Sequence, residues 1–488
     1  MLDKAIDREK SAKKHMSFDE DSYKISIDKN LDDKTKNIAL SILNSSSKHN
    51  FSLLNKSFWS AKMMDLSMNY PKFKIEMFRF VDVLPSLTSK QQILDHVYEY
   101  FILTKTDLPQ SLKSLIALVC KIPVVNLFFA SMVKTNVEIM AKTFIAGENG
   151  MQAITPLKKL WDKGFLSTVD ILGEAVLSEA EADLYFNKYL ELINSLSSQK
   201  KNWVKSSIHN LSSSFGEQPV VNVSVKLSSL FSQIDPIDLA GSIAGISKRL
   251  LPLLDSAMEK GVFINLDMED FELKDLTLSL IEEIFLQDKY KNYPHFGIVI
   301  QAYLTSAKKD ILRVVDLAKK RNTPITVRLV KGAYWDTEVI IAKQNNWHIP
   351  VYTQKAASDL SFENLSKIML DNHKYIISAF GSHNVRSLAH AFAYADEKNI
   401  AKQDIEVQML FGMSDAFKHS IKELGYRVRE YVPVGEILPG MAYLVRRLLE
   451  NTANEGFLKN KFVSGASSDS LLQNPALKVS EVNKNGNI

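Results

Sequence analysis

Apolar and polar positions follow two different textures along this chain. From Phe51 to Asp162 apolar residues recur at helical spacing, as in "QQILDHVYEYF" and "VVNLFFASMVKTNVEIMAKTFI", with Pro and Ser breaks between segments. That pattern predicts a small all-helical domain over residues 51–162. Beyond it, short runs rich in β-branched and aromatic residues alternate with longer helical segments: "FLSTVDI", "VVNVSVKL", "GVFINLD", "FGIVIQAY", "ITVRLV", "YIISAF", "IEVQML" and "YRVREYV". Each run is short enough for a strand buried on both faces and is followed by a segment long enough for a helix. Eight such units over residues 163–465 match the size and count of a (β/α)8 barrel. The fold class predicted is therefore α/β, a TIM-type barrel preceded by a helical domain. The ends read differently. Residues 1–50 are rich in Lys, Asp, Ser and Asn, with few large apolar residues outside "NIALSILNSSS", and predict a flexible N-terminal arm. Residues 466–488 read as an exposed tail or linker.

A barrel of this kind carries its active site at the C-terminal ends of its strands. Following the runs to their ends gives Gly173 with Glu174, Lys226, Asp267, Gln301, Arg328 with Lys331, Ser382 with His383, Leu410, and Tyr431. Each has an ordinary explanation: a helix cap for Asp267, a snorkelling stem for Lys226, a satisfied amide for Gln301, a core imidazole for His383. Their coincidence at the same end of successive strands favours a ligand, because a polar group buried there must be satisfied by something. A further segment, "YLVRRLLENTANEGF" from Tyr443 to Phe457, puts Arg446 and Arg447 on a polar helix face with Glu450 and Asn454. The face fits a solvated surface with an Arg446–Glu450 pair worth a few tenths of a kcal/mol, or a paired-guanidinium clamp for a carboxylate or phosphate.

Composition narrows the partners. With 45% hydrophobic and 24% charged residues over 488 positions, the chain is long enough for a large domain and a smaller one. A formal net charge of +4 predicts no dedicated nucleic-acid surface. The single cysteine, Cys120, can form neither an intrachain disulfide nor a cysteine metal cage, which fits a reducing compartment, and the expected location is the cytoplasm. No apolar run of about 18 residues occurs, so any membrane contact is expected to be peripheral, at the inner face. There is no nucleophile elbow, no zinc-protease histidine pair and no phosphate loop, and the histidines are too scattered for a metal site. The strand ends instead offer cations and hydrogen-bonding groups, a lining suited to a large anionic cofactor and a small anionic substrate.

"RLVKGAYWDTEV", "SVKLSSL", "DILGEAVLSEAEA", "YVPVGE" and "YLVRRLLENTANEGF" together resemble the proline dehydrogenase domain of bacterial proline utilisation A (PutA) flavoproteins, and "FRFVDVLPSLTSKQQILDHVYEYF" resembles the domain preceding that barrel. The likeness runs from Phe51 to Val463. It implies a distorted barrel that binds FAD and oxidises L-proline to Δ1-pyrroline-5-carboxylate by hydride transfer to flavin N5, with electrons passed to a quinone. Carried over position by position, it implies that Met268, Gln301, Arg328, Lys331, Gly332, Ala333, Trp335, Ser382 and His383 contact the cofactor. The family often carries Thr where Ser382 stands, and the hydroxyl is kept. It likewise implies Lys226, Arg446 and Arg447 on the proline carboxylate, Tyr334, Leu410 and Tyr431 around the ring, and Asp267 with Arg328 as the catalytic pair at the flavin face. No general base for the proline amine is visible. Other readings are oxidation of a related cyclic imino acid such as hydroxyproline, which the bulk of Tyr431 disfavours, and a non-catalytic ligand-binding barrel. Implied partners are a quinone and a pyrroline-5-carboxylate dehydrogenase, fused or separate, with a homo-oligomer as a further expectation.

Overall fold

The computed structural model describes residues 28–49, 70–104, 106–173, 175–436 and 472–485. The eight predicted runs all form strands: β1 (Leu166–Ile171), β2 (Asn222–Val225), β3 (Phe263–Leu266), β4 (Phe296–Gln301), β5 (Ile325–Val330), β6 (Ile376–Gly381), β7 (Ile405–Leu410) and β8 (Arg427–Val434). They pair in sequence order, all parallel, and β8 returns to β1 from Leu166↔Arg429 to Ile171↔Val434, so the sheet closes into a barrel. Among the described residues the strands are linked by helices that cover the outside. Val223, Val225, Ile264, Leu266, Ile298, Val327, Leu329 and Val407 are buried in one continuous core with those helices. Closure leaves no sheet edge, and the helices cover the apolar outward faces of the strands.

Inside the barrel the side chains are polar. Thr168, Asp170, Ser224, Asn265, Asp267, Arg328, Glu406, Gln408 and Arg429 are all buried. Towards the strand N-termini, Arg429 Nε donates to Glu406 Oε1 at 2.8 Å and its Nη1 to the Ser167 carbonyl at 2.9 Å. Alternation then turns Glu430 outward, where it pairs with Lys418 on the helix Asp415–Glu423 at 2.8 Å.

Ahead of the barrel, the helices Pro71–Val83, Lys90–Tyr98, Gln110–Lys121 and Val125–Phe144 gather around a second core of Phe73, Met77, Phe78, Phe80, Val81, Ile93, Leu94, Val97 and Phe101. The local signals are plain: Pro71 opens the first helix, and Ser89 with Gln92 forms a capping box on the second. This second core also takes in Met413, with Leu410 packed against it, so the helical domain leans on the exit of β7. Two backbone bonds fix the seam at β8: Ala146 N–H to the Pro433 carbonyl and Gly435 N–H to the Gly147 carbonyl, both 2.9 Å.

The described residues 28–49 and 472–485 depart from the expectation of a loose arm and an exposed tail. Lys29–His49 is a helix laid on the outer helices Val385–Glu397 and Asp415–Glu423. It buries Leu31, Thr35, Ala39, Ile42, Leu43 and Ser46. The helix Pro475–Asn485 lies against Lys355–Asp371, with Leu472 buried ahead of it. A single buried guanidinium, Arg386, joins the two ends. Its Nη2 donates to Asp32 Oδ1 at 2.7 Å, its Nη1 to the Leu472 carbonyl at 2.7 Å, and its Nε to Glu363 Oε1 at 3.1 Å. Asn474 Nδ2 reaches the same Asp32 oxygen at 2.9 Å.

Candidate active site

Four charges of alternating sign meet towards the C-terminal mouth of the barrel, two on strands and two just past strand ends. Asp267 follows β3, and its Oδ1 accepts from Arg328 Nη1 on β5 and from Ser224 Oγ on β2, both at 2.8 Å. Asn265 Nδ2 lies 3.3 Å from both Ser224 Oγ and Asp267 Oδ1. The other carboxylate oxygen accepts from the Tyr431 hydroxyl on β8 at 2.7 Å, and the Arg328 guanidinium lies 5.2 Å from the centre of the Tyr431 ring. Lys226, just past β2, bonds Asp170 on β1 and sits 4.0 Å from Asp267 Oδ2. Because strands not adjacent in the sheet contribute to one cluster, these side chains must point into the barrel.

The electrostatics follow from burial opposed by pairing. Burial alone would raise the Asp267 carboxyl, but Arg328 and then Lys226 overcome it and hold the group below the ordinary range. Asp170 has a different balance: burial dominates, Lys226 offsets only part of it, and the Asp267 charge adds to the rise. Burial opposes the Lys226 ammonium, yet Asp170 and Asp267 outweigh it and keep Lys226 protonated. Burial, reinforced by Asp170 and Asp267, pushes the Tyr431 phenol well above its usual value, so it remains a hydrogen-bond donor.

Beside this cluster lies a second set. Met268 is buried immediately after Asp267, and Gln301 at the end of β4 donates through Nε2 to the Glu269 carbonyl at 2.9 Å. Lys331, Gly332 and Ala333 follow β5. The Lys331 ammonium pairs with Asp359, while burial, only partly offset by Asp359, pulls it below the usual lysine range. Gly332 has φ +126°, and a Cβ there would stand 2.4 Å from the Tyr303 ring, so only glycine fits. Tyr334 precedes the helix Trp335–Gln344, and the Trp335 indole N–H donates to the Tyr352 carbonyl at 2.8 Å. Past β6, Ser382 Oγ accepts from Asn384 N–H at 3.0 Å, and His383 Nε2 accepts from Leu410 N–H at 3.1 Å, tying the exit of β6 to that of β7.

The structure therefore brings Lys226, Asp267, Arg328 and Tyr431 into one cluster and sets Met268, Gln301, Lys331 to Trp335, Ser382, His383 and Leu410 on the same rim. Arg446, Arg447, Glu450 and Glu174 lie outside the described residues. Sequence reasoning missed Asp170, Ser224, Asn265, Glu269 and Asp359. Asp170 carried a usable signal, a carboxylate inside the apolar run "FLSTVDI".

The residues fit a flat, polar-edged cofactor. Arg328 Nε and Gln301 Oε1 are buried with no hydrogen-bond partner among the described residues, one a donor and the other an acceptor. A buried group of this kind calls for a partner from outside those residues. No group of metal-ligating side chains occurs among the described residues.

Comparison with known proteins agrees with this geometry. The family model described as Proline dehydrogenase matches residues 153–460, a span that includes Arg446 and Arg447, and that of the Proline utilization A N-terminal domain matches residues 32–144. Bifunctional protein PutA of Escherichia coli (strain K12) is 30% identical over 351 residues, covering 70% of this chain and 26% of that protein. Proline dehydrogenase 1 of Bacillus subtilis (strain 168) is 30% identical over 318 residues, covering 65% of this chain and 89% of the relative. The crystal structure of proline utilization A from Bdellovibrio bacteriovorus inactivated by N-propargylglycine superposes with a TM-score of 0.80 at 44% identity, covering 91% of this chain and 44% of that one. The chain thus spans about a quarter of the length of the bifunctional relative. With its barrel matched over residues 153–460 and its helical domain over 32–144, the chain belongs to the proline dehydrogenase family.

Proposed function

We propose that this chain is an FAD-dependent proline dehydrogenase that oxidises L-proline to Δ1-pyrroline-5-carboxylate and passes the electrons to a quinone. The observation that carries the reading is the buried Asp170–Lys226–Asp267–Arg328 cluster at the barrel mouth, with Arg328 Nε and Gln301 Oε1 left for an outside partner. Met268, Gln301, Arg328, the Lys331–Gly332–Ala333 turn, Trp335, Ser382 and His383 would hold the cofactor. When bound, FAD supplies the two-electron acceptor, taking hydride from proline C5 at its N5 position.

The chain's own residues bind, orient and exclude water. Lys226, with Arg446 and Arg447, offers cations to the proline carboxylate, although Asp170 already occupies much of the Lys226 charge. Tyr431, Tyr334 and Leu410 close over the apolar ring. Arg328 is locked by Asp267 and Ser224, so its charge stands fixed where negative charge develops and needs no reorganisation. Loss of hydride must be matched by loss of the amine proton. Asp267, held ionised by two cations, is a weak base, and Asp170 is the carboxylate of the pair better able to hold a proton. The product is an imine, which a pyrroline-5-carboxylate dehydrogenase, fused or separate, would consume.

Proline added anaerobically to the FAD-loaded protein should bleach the yellow flavin, and a soluble quinone should restore the colour. No flavin uptake, or a bound flavin indifferent to proline, would overturn the reading.

A further inference from the structure

The turn that follows β2 is held by a residue to which the proposed reaction gives no part. Lys226 leads into the short 3-10 turn Leu227–Ser229, all three residues of which are buried. Leu227 belongs to the main core and fixes the apolar side of the turn. The polar groups are tied from three directions. The Glu269 carboxylate takes both donors of Ser228, the N–H on Oε1 at 3.0 Å and the hydroxyl on Oε2. The Ser228 carbonyl accepts from the Val176 N–H, beyond β1, at 3.1 Å. Tyr189, buried on the helix Glu179–Gln199, accepts from the Lys226 N–H through its hydroxyl at 3.2 Å.

Glu269 therefore bridges two strand exits. Its side chain grips the turn after β2, while its own carbonyl accepts from Gln301 Nε2 at the end of β4 at 2.9 Å. Burial pushes the Glu269 carboxyl above its ordinary range, and the two Ser228 bonds and the Lys226 charge draw it back only in part. A carboxylate bound to two donors of one residue is a fork that fixes distance and angle together. Little slack lies between that fork and Lys226, because Leu227, the one residue between them, is locked in the core. The ammonium at the other end has a narrow place to occupy: it bonds Asp170 and lies 4.0 Å from Asp267 Oδ2. A displacement of about 1 Å would redistribute it among these carboxylates and away from a bound ligand.

We infer that Glu269 is a positioning residue for substrate binding: by clasping Ser228 it sets the Lys226 ammonium in the place from which it meets the substrate carboxylate. The inference rests on the proposed assignment of Lys226 to that carboxylate. Glu269 acts through the turn, by geometry, and its charge is secondary.

Steady-state proline kinetics on the FAD-loaded full chain test it. Glu269→Met keeps the length of the side chain and removes both acceptors, so KM for proline should rise about tenfold while kcat changes by less than about twofold. Flavin content should stay at the wild-type level, because Gln301 bonds a backbone carbonyl that the substitution retains. Glu269→Gln keeps an acceptor for the Ser228 N–H and can donate to the hydroxyl, so it should recover most of the loss. Ser228→Ala removes the hydroxyl bond alone and should raise KM about threefold, reading the same clasp if Glu269→Met fails to fold. The decisive comparison is with Lys226→Met, which should itself raise KM: in that background Glu269→Met should add no further rise, whereas a purely structural role predicts additive effects. Three results would overturn the inference: an unchanged KM in both Glu269→Met and Ser228→Ala, a Glu269→Gln variant as impaired as Glu269→Met, or a further rise on top of Lys226→Met. A sensitive Lys226 beside an indifferent Glu269 leaves the proposed reaction intact. A Lys226→Met variant with the wild-type KM would instead refute the assignment of Lys226 to the carboxylate, and the inference would fall with it.

Discussion

At the scale of single residues, Asp267 is the hub of the mouth. One of its oxygens serves Arg328, Ser224 and Asn265, and the other serves Tyr431. Asp267→Asn keeps the shape and removes the charge, leaving Arg328 and Lys226 short of a counter-ion. Breaking a buried pair from one side costs about 3–5 kcal/mol, so the urea midpoint should fall markedly and proline turnover should be lost. Tyr431→Phe deletes a single donor without changing the packing and should cost about 1 kcal/mol. Because both changes act on one carboxylate, the double variant should be less destabilised than the sum, and a double-mutant cycle measures the difference.

At the scale of elements, the seam between helical domain and barrel depends on a glycine. Gly412 has φ +72°, and a Cβ there would stand 2.0 Å from the Thr143 carbonyl oxygen. Gly412→Ala should therefore cost at least about 1–3 kcal/mol, read as a lower thermal midpoint, because the clash is with backbone and the conformation is itself unfavourable. The seam closes beside Leu410, so proline affinity should fall in the same variant. These elements differ in how readily sequence betrays them. The barrel strands were legible because a strand covered on both faces must be a short β-branched run, and "ITVRLV" or "IEVQML" can hardly be anything else. The strand-end rule found Lys226, Asp267, Arg328 and Tyr431 for the same reason. It passed over Asp170, Ser224 and Asn265, although each stands one residue before the end of its strand, because the rule takes a residue further along the same unit (Glu174, Lys226 or Asp267) instead. Asp359 escaped because its bond to Lys331 joins a helix to a loop 28 residues away, and nothing local records it. The helix Lys29–His49 looked like a loose arm because its buried stripe includes Thr35, Ala39 and Ser46, which fit closely against neighbouring helices but hardly raise the hydropathy.

At the scale of the whole molecule, Arg386 fastens both ends of the described chain to the barrel's outer helices. Arg386→Met should leave Glu363 without its paired cation and Asp32 with Lys36 alone, and hydrogen exchange should accelerate in Lys29–His49 and Pro475–Asn485 before it does in the strands. The two carboxylates respond to pH with opposite signs. Burial, only partly offset by Arg386, raises Glu363 to about 7 from an ordinary 4.5. Its folded form then binds more protons than the unfolded chain, so stability falls as pH rises between about 4.5 and 7. Burial of Asp32 is outweighed by Lys36 and Arg386, which lower it, so its contribution is present above an ordinary 3.8 and fades as pH falls through the folded value. Thermal midpoints across this range should decline towards neutrality in the wild type, and Glu363→Gln should flatten the decline.

The Arg386 junction also bears on the order of assembly. Asp32 is 354 residues from Arg386 and 442 from Asn474, both of which it touches. The entropy of closing a loop grows only slowly with its length, by about 0.6 kcal/mol per doubling, so distance alone does not forbid the contact. What it requires is a surface to close upon, because Arg386 gains its partners from helices that pack on the outside of the barrel. The junction is thus expected to engage late, as a latch on an assembled barrel. In refolding, protease resistance of residues 472–485 should appear with the slowest phase, after the strands are already protected, and earlier resistance would mean that the ends find each other without the barrel.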